Sequence, residues 1–205
     1  MAERLPGVIL AGGKATRMGG GDKGLRRIGN KRIIDHVIAR LGAQCGPLAI
    51  NANGEADRLA EFGVPVLPDS LPDHPGPLAG VLAGLDWAAE LGAEAIITAA
   101  ADTPFFPADL AEKLQGAAGP EGLALAASPG PEGKIFRQPT FGLWPVTLRD
   151  DLREALKGGL RKIVIWTEAH HAGSAVFEAD GYDPFFNINT PDDIAEAERI
   201  AERVA

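Results

Sequence analysis

Short, wholly apolar runs alternate along this chain with longer stretches in which apolar residues recur every three or four positions. The runs read as buried strands and the periodic stretches as helices, so their alternation predicts a parallel or mostly parallel α/β sheet. Val8, Ile9 and Leu10 form the first run. Ile34, Val37, Ile38 and Leu41 then mark a helix over 33–41 that Gly42 ends. Residues 47–52 read as the second strand, 55–62 as a short helix with Leu59 and Phe62 inward, and 64–67 as the third strand. A helix is expected over 78–91, where Gly76, Gly80 and Gly84, spaced by four, give one bare face for close packing on the sheet. Residues 95–101, reading AIITAAA, form a fourth strand that is buried throughout by composition.

The second half is less regular. Pro104 and Pro107 open a helix over 108–114. Residues 123–127 and 138–144, separated by a turn rich in glycine and proline at 129–133, can pair as an antiparallel feature, and a helix follows over 146–156. Residues 160–167 fit two patterns. Ile163, Val164, Ile165 and Trp166 read as strand, whereas Leu160, Ile163, Val164 and Thr167 fit one face of a helix. A strand is expected over 173–178. Thr190 caps the last helix, Pro191 starts it and Asp193 supports it in a capping box, with Ile194, Ala197, Ala201 and Val204 inward. No internal repeat, low-complexity segment or linker divides the chain, which predicts one domain over 1–205.

Ligands of an open α/β sheet bind beyond the C-terminal ends of its strands. The first strand delivers there a glycine-dense loop carrying Lys14, Arg17 and Lys23, the second Asn51, the third Asp69 and the fourth Asp102. Each has a plainer reading as a turn or a helix cap. Those readings leave the alignment of all four at one edge unexplained.

Composition narrows the ligand. With 45% hydrophobic and 23% charged residues, the chain has the make-up of a globular protein with a substantial core. A net charge of −8 disfavours a broad interface with nucleic acid or an anionic membrane, so a local cationic loop suits a small anion. Cys45 stands alone and reads as a small core residue. The first apolar run breaks at Gly12, too short for a secretory core or a membrane span, which makes the cytoplasm the simplest location.

Glycines let backbone N–H groups converge on an anion and basic side chains neutralise it, so the loop after Leu10 is expected to hold a nucleoside triphosphate. It is not a Walker A loop, since no Gly-Lys is followed by Ser or Thr at the required spacing. Gly19, Gly21 and Gly24 match the dinucleotide fingerprint by letter, but they lie too far beyond Leu10 to form its strand-to-helix turn. Asp102 is the leading metal-ligand candidate, because Mg²⁺ takes one or two carboxylates and completes its octahedron with waters and phosphates. Asn189 is a further neutral oxygen ligand or a ribose contact. His170 and His171 are adjacent, His36 and His74 have no visible partners, and all four read as solvated surface residues.

Taken together, LAGG-x-x-x-RMG-x-x-DKG at 10–24, NAN at 51–53, PDS at 68–70, GPLAG at 76–80, DTP at 102–104, PT at 139–140 and NINTP at 187–191 resemble the molybdenum cofactor guanylyltransferase family over nearly the whole chain. The resemblance implies a Rossmann-like nucleotidyltransferase fold, three-layer αβα with a mostly parallel central sheet. It implies transfer of GMP from Mg-GTP to the terminal phosphate of molybdopterin or Mo-molybdopterin, with release of pyrophosphate. Leu10, Ala11, Gly12, Gly13, Lys23, Asn51, Asp69 and Asp102 are then expected to contact GTP, with Mg²⁺ on Asp102 and Asn189, and Arg17, Lys23 and Asp102 in the chemistry. It also implies a helix over 160–167.

Gln138 departs from relatives that carry His before Pro-Thr, in what is expected to be a loop near the pterin. Transient contact with other cofactor-biosynthesis proteins and with molybdoenzymes fits such a role. A molybdopterin cytidylyltransferase, a sugar-phosphate nucleotidyltransferase and a non-catalytic nucleotide-binding module are the alternatives. Relatives that use CTP tend to read LAAG, and the bare Gly12 suits a bulkier purine.

Overall fold

The computed structural model describes residues 4–12, 23–71 and 76–204. Seven strands form one sheet: β1 (Gly7–Leu10), β4 (Leu48–Asn51), β5 (Val66–Leu67), β6 (Ala95–Ala100), β7 (Ala124–Pro129), β8 (Ile135–Pro145) and β9 (Gly173–Val176). Their spatial order is β5-β4-β1-β6-β8-β7-β9, and only β8 runs against the rest. Between β1 and β4 lies a small antiparallel hairpin, β2 (Arg27–Ile28) with β3 (Lys31–Arg32). Its tight turn uses Gly29 at φ +55°, a left-handed conformation that glycine adopts without cost.

Helices cover both faces. Along β1 the side chains alternate, as in any strand. Ile9 packs with Ile34, Val37 and Leu41 of α1 (Ile33–Gly42) and with Leu110 and Leu114 of α3 (Leu110–Gly116). Val8 and Leu10 pack on the other face with Leu78, Val81, Leu82 and Leu85 of α2 (Pro77–Glu90), beside Leu152 of α4 (Arg149–Lys157) and Trp166 of α5 (Ile163–Ala169). Both sides of the strand are dry, which is why its sequence is unbroken apolar rather than alternating. A smaller cluster of Ile28, Ile33, Phe105, Ile188, Ala197 and Ile200 joins the hairpin to α6 (Pro191–Val204).

The ambiguous segment is helical from Ile163 onward, as α5, whereas residues 160–162 lead into it without helical structure. Residues 123–127 and 138–144 do pair antiparallel, as part of β7 and β8. The helix expected over 55–62 is a 3₁₀ helix, Ala56–Phe62, ended by Gly63 at φ +66°. The helix expected over 146–156 begins as a 3₁₀ turn, Val146–Leu148, before α4. On α6 the inward residues are Ala197 and Ile200, while Ile194, Ala201 and Val204 are only partly covered. Of the three spaced glycines, Gly80 and Gly84 pack closely. A Cβ on Gly84 would lie 2.8 Å from Ile96 Cδ1 and 2.9 Å from Val8 Cγ2. Gly76 instead heads α2 at φ +127°, with open space around it. Cys45 is a core residue whose thiol burial pushes up to about 12.

Candidate active site

Strands β5, β4, β1 and β6 end along one edge of the sheet, above a cleft lined from end to end by Asp69, Asn51, Asn53, Leu10, Gly12, Asp102 and Thr140, with Gly76, Pro77, Ala100 and Asn187. From β5 to β8 the cleft crosses four strand intervals, roughly 19 Å. Ala11 and Lys23 border a small adjoining hollow beside Leu10 and Asp102.

At the β5 end, two amides hold one carboxylate. Asn51, 4% exposed, donates through Nδ2 to the Leu67 carbonyl at 3.1 Å and to Asp69 Oδ1 at 2.9 Å. Asn53 donates to Asp69 Oδ2 at 2.7 Å and accepts the Asp69 N–H at 2.9 Å. Each carboxylate oxygen keeps a lone pair for a donor in the cleft. The Asn51 carbonyl oxygen faces Gly80, where any Cβ would overlap it. Next to Asp69, the Ser70 hydroxyl donates to Asp86 of α2 at 2.6 Å, and Asp86 also receives Arg153 of α4 at 2.5 Å. The loop after β5 is thus tied to the helix beneath it.

Toward β6, oxygens gather around a cation. The Lys23 ammonium lies 3.4 Å from Asp102 Oδ2 and donates to Asn189 Oδ1 at 2.5 Å. Three backbone features put these groups together. Gly24 sits against Ala101, where a Cβ would lie 3.4 Å from the Ala101 carbonyl oxygen, so the turn that carries Lys23 rests directly on the β6 end. The Ile188 N–H donates to the Asp102 carbonyl at 3.0 Å, and Ile188 itself is buried in the hairpin cluster. Finally, Asp193 accepts the N–H groups of Asn189 (2.7 Å) and Thr190 (2.8 Å), while the Asp193 N–H donates to Thr190 Oγ1 at 3.3 Å, the expected capping box. Those bonds, led by the one from Asn189, hold the Asp193 carboxyl below the usual carboxylate range.

Two oxygens that already converge on an ammonium form a donor set of the kind a hard divalent cation uses. Among the described residues there is no cluster of three His, Cys, Asp or Glu side chains that could cage a metal alone. A metal held at Asp102 and Asn189 would therefore need water or substrate to complete its ligands.

Of the residues expected from sequence, Leu10, Gly12, Asn51, Asp69 and Asp102 line one cleft, with Ala11, Lys23 and Asn189 beside it. Gly13, Lys14, Arg17 and His74 lie outside the described residues. Gln138 is not in a loop: it pairs opposite Ala126 within β8, and its amide donates to Ser128 Oγ at 3.0 Å. Thr140 and Asn187 reach the cleft without having been singled out, although both stand inside motifs read from the sequence. Two histidines are not solvated surface groups. His36 is half-buried with Nε2 sequestered, and burial, helped by Lys31, lowers its pKa. His170 is clamped between Glu121 at 3.0 Å and Asp151 at 2.8 Å. No helix among the described residues is long and apolar enough to cross a membrane.

Residues 7–172 match the model of the MobA-like NTP transferase domain. A protein of Bradyrhizobium sp. strain ORS 278 named molybdenum cofactor guanylyltransferase is 48% identical over 202 residues, covering 96% of this chain and 93% of its own. One of the same name from Nitrobacter hamburgensis is 49% identical over 198 residues, covering 95% and 93%. Among solved structures, molybdopterin-guanine dinucleotide biosynthesis protein A from Archaeoglobus fulgidus superposes with a TM-score of 0.73 at 23% identity, over 97% of this chain and 100% of that one. At that identity the superposition speaks for the fold alone.

Proposed function

This chain belongs to the MobA-like NTP transferase family and is a nucleotidyltransferase, and we propose that it moves GMP from GTP to the terminal phosphate of molybdopterin, releasing pyrophosphate. The relatives at 48% and 49% identity carry the choice of guanylyl transfer. The geometry that supports it is the convergence of Lys23, Asp102 and Asn189 at one end of a cleft whose other end is the Asn51–Asn53–Asp69 hydrogen-bonded set.

The nucleoside lies toward β4 and β5, where Asp69 keeps acceptor capacity for sugar or base donors, and the phosphates lie toward Lys23. Leu10, Ala11 and Gly12 allow close approach at the β1 end; Gly12 is exposed and a Cβ there would meet nothing. Asp102 and Asn189 hold a divalent metal, which we take to be Mg²⁺. When bound, that ion neutralises phosphate charge and orients the phosphates. Lys23 places a fixed positive charge beside the same phosphates, and Arg17 and Gly13, which lie outside the described residues, are assigned to the same nucleotide. An oxygen of the acceptor phosphate attacks the α-phosphorus, a new P–O bond forms, and the bond to the β-phosphate oxygen breaks. The acceptor is ionised at neutral pH, so no protein base has to remove a proton. Positioning and charge stabilisation are the chain's whole contribution. We place the reaction in the cytoplasm and treat residues 1–205 as one nucleotidyltransferase domain.

The test is pyrophosphate release by the purified protein with molybdopterin, Mg²⁺ and either GTP or CTP. Release that needs both GTP and the acceptor supports the reading. Equal or faster release with CTP makes the chain a cytidylyltransferase, and GTP binding without release in any mixture makes it a binding module.

A further inference from the structure

Strand β8 parts from both of its neighbours at one place. Its pairing with β6 runs from Pro145 opposite Ala95 to Gly142 opposite Thr98 and ends there, two residues before β6 does. Its pairing with β7 passes from Gly142, opposite Leu125, directly to Gln138, opposite Ala126. Pro139, Thr140 and Phe141 therefore face no residue of either strand. Proline has no N–H to leave unpaired, and a bulge beside a cleft re-aims the side chains it carries. Phe141 fixes the bulge from below: it is 2% exposed, with its ring centroid 5.6 Å from that of Phe106 and 5.0 Å from that of Phe185. Thr140, the residue between, lines the cleft with Gly12, Asp102 and Asn187, and its hydroxyl has no hydrogen-bond partner among the described residues.

Along the sheet edge the order is Asp69, Asn51, Gly12, Asp102, Thr140. With the nucleoside toward Asp69 and the phosphates near Asp102, Thr140 stands one strand interval further, about 5 Å, on the side the nucleoside leaves open. We propose that Thr140 is an acceptor-binding residue, whose hydroxyl donates a hydrogen bond to the ionised phosphate of the incoming molybdopterin and holds it toward the α-phosphorus. This inference rests on the guanylyltransferase reading above.

The experiment compares Thr140→Val, which keeps the shape and removes the hydroxyl, with Thr140→Ser, which keeps the hydroxyl. Acceptor KM is measured at saturating GTP, GTP affinity is measured separately by calorimetry, and circular dichroism checks the fold. Thr140→Val is expected to raise the acceptor KM roughly tenfold, the loss of one hydrogen bond to a charged group, while Thr140→Ser stays within about threefold of the parent. GTP affinity is unchanged in both. The proposal is overturned if Thr140→Val leaves the acceptor KM alone, if GTP affinity falls in step with it, or if Thr140→Ser is equally impaired. Failure of the underlying reading looks different: the parent protein itself then forms no product from GTP and molybdopterin, and both ideas fall together.

Discussion

The Lys23 ammonium donates to Asn189 Oδ1 at 2.5 Å across 166 residues of chain, with Asp102 Oδ2 3.4 Å from the same ammonium. One strand end, one turn and one capped loop meet at this point, all braced by the small cluster around Ile28, Phe105 and Ile188. The groups proposed to meet the triphosphate are thereby set in place by the fold.

Asp102→Ala is predicted to lower kcat by roughly a hundredfold to a thousandfold, the scale of losing one preorganised charged partner of the transition state. Lys23→Ala is predicted to lower kcat more than it raises KM for GTP. Steady-state kinetics with circular dichroism as the folding control check both. Near-normal turnover of Asp102→Ala in Mg²⁺ rules out its metal role, and a pure KM effect of Lys23→Ala rules out action in the transition state.

Gly80→Ala is predicted to act on the Asn51 side chain, because the new methyl group overlaps its carbonyl oxygen. Displacing Asn51 frees one oxygen of Asp69 and weakens GTP binding by roughly tenfold, as does Asn51→Ala. The double variant is then no worse than either single one, since both remove the same arrangement. Additive losses in GTP affinity contradict that coupling.

Thr98→Val tests the frame behind β6. Thr98 is fully buried, and its hydroxyl oxygen accepts both Trp144 Nε1–H at 2.8 Å and the Gly142 N–H at 3.2 Å. Valine fills the same volume but leaves two buried donors without an acceptor. A loss of about 2 kcal/mol is expected, lowering Tm by roughly 4–8 °C for a chain of this size. An unchanged melting curve is the contrary result.

Stability should also vary with pH through His170. Burial opposes the imidazolium, but hydrogen bonds to Glu121 and then Asp151 outweigh it, and the pKa is raised. Both ring nitrogens can donate only when the ring is charged. A raised folded pKa gives stability that is fully present below the unfolded value of about 6.5 and is lost as pH rises through the folded value. His170→Gln should therefore cost more stability at about pH 5.5 than at about pH 9 in urea melts. A gap between parent and variant that widens with rising pH is the opposite sign.

The sheet edge was legible because buried parallel strands announce themselves as unbroken apolar runs, and Asn51, Asp69 and Asp102 stand where those runs stop. What was not legible depends on pairing between distant segments. Nothing local in Gln138 or Thr140 says that β8 bulges, since the bulge is defined by Leu125 and Ala126 on another strand. Ile200 needed the hairpin, whose short strands carry only Ile28 as a buried apolar residue. His170 reads from sequence as a solvated surface residue because its partners Glu121 and Asp151 are 49 and 19 residues away.

The most direct measurement of the central claim follows a label on the α-phosphate of GTP into the pterin product. With molybdopterin and Mg²⁺, the predicted result is label in a guanine dinucleotide of the pterin, in equal amount to pyrophosphate released, and none from labelled CTP. Label recovered only as free GMP, or transferred from CTP in preference to GTP, contradicts it.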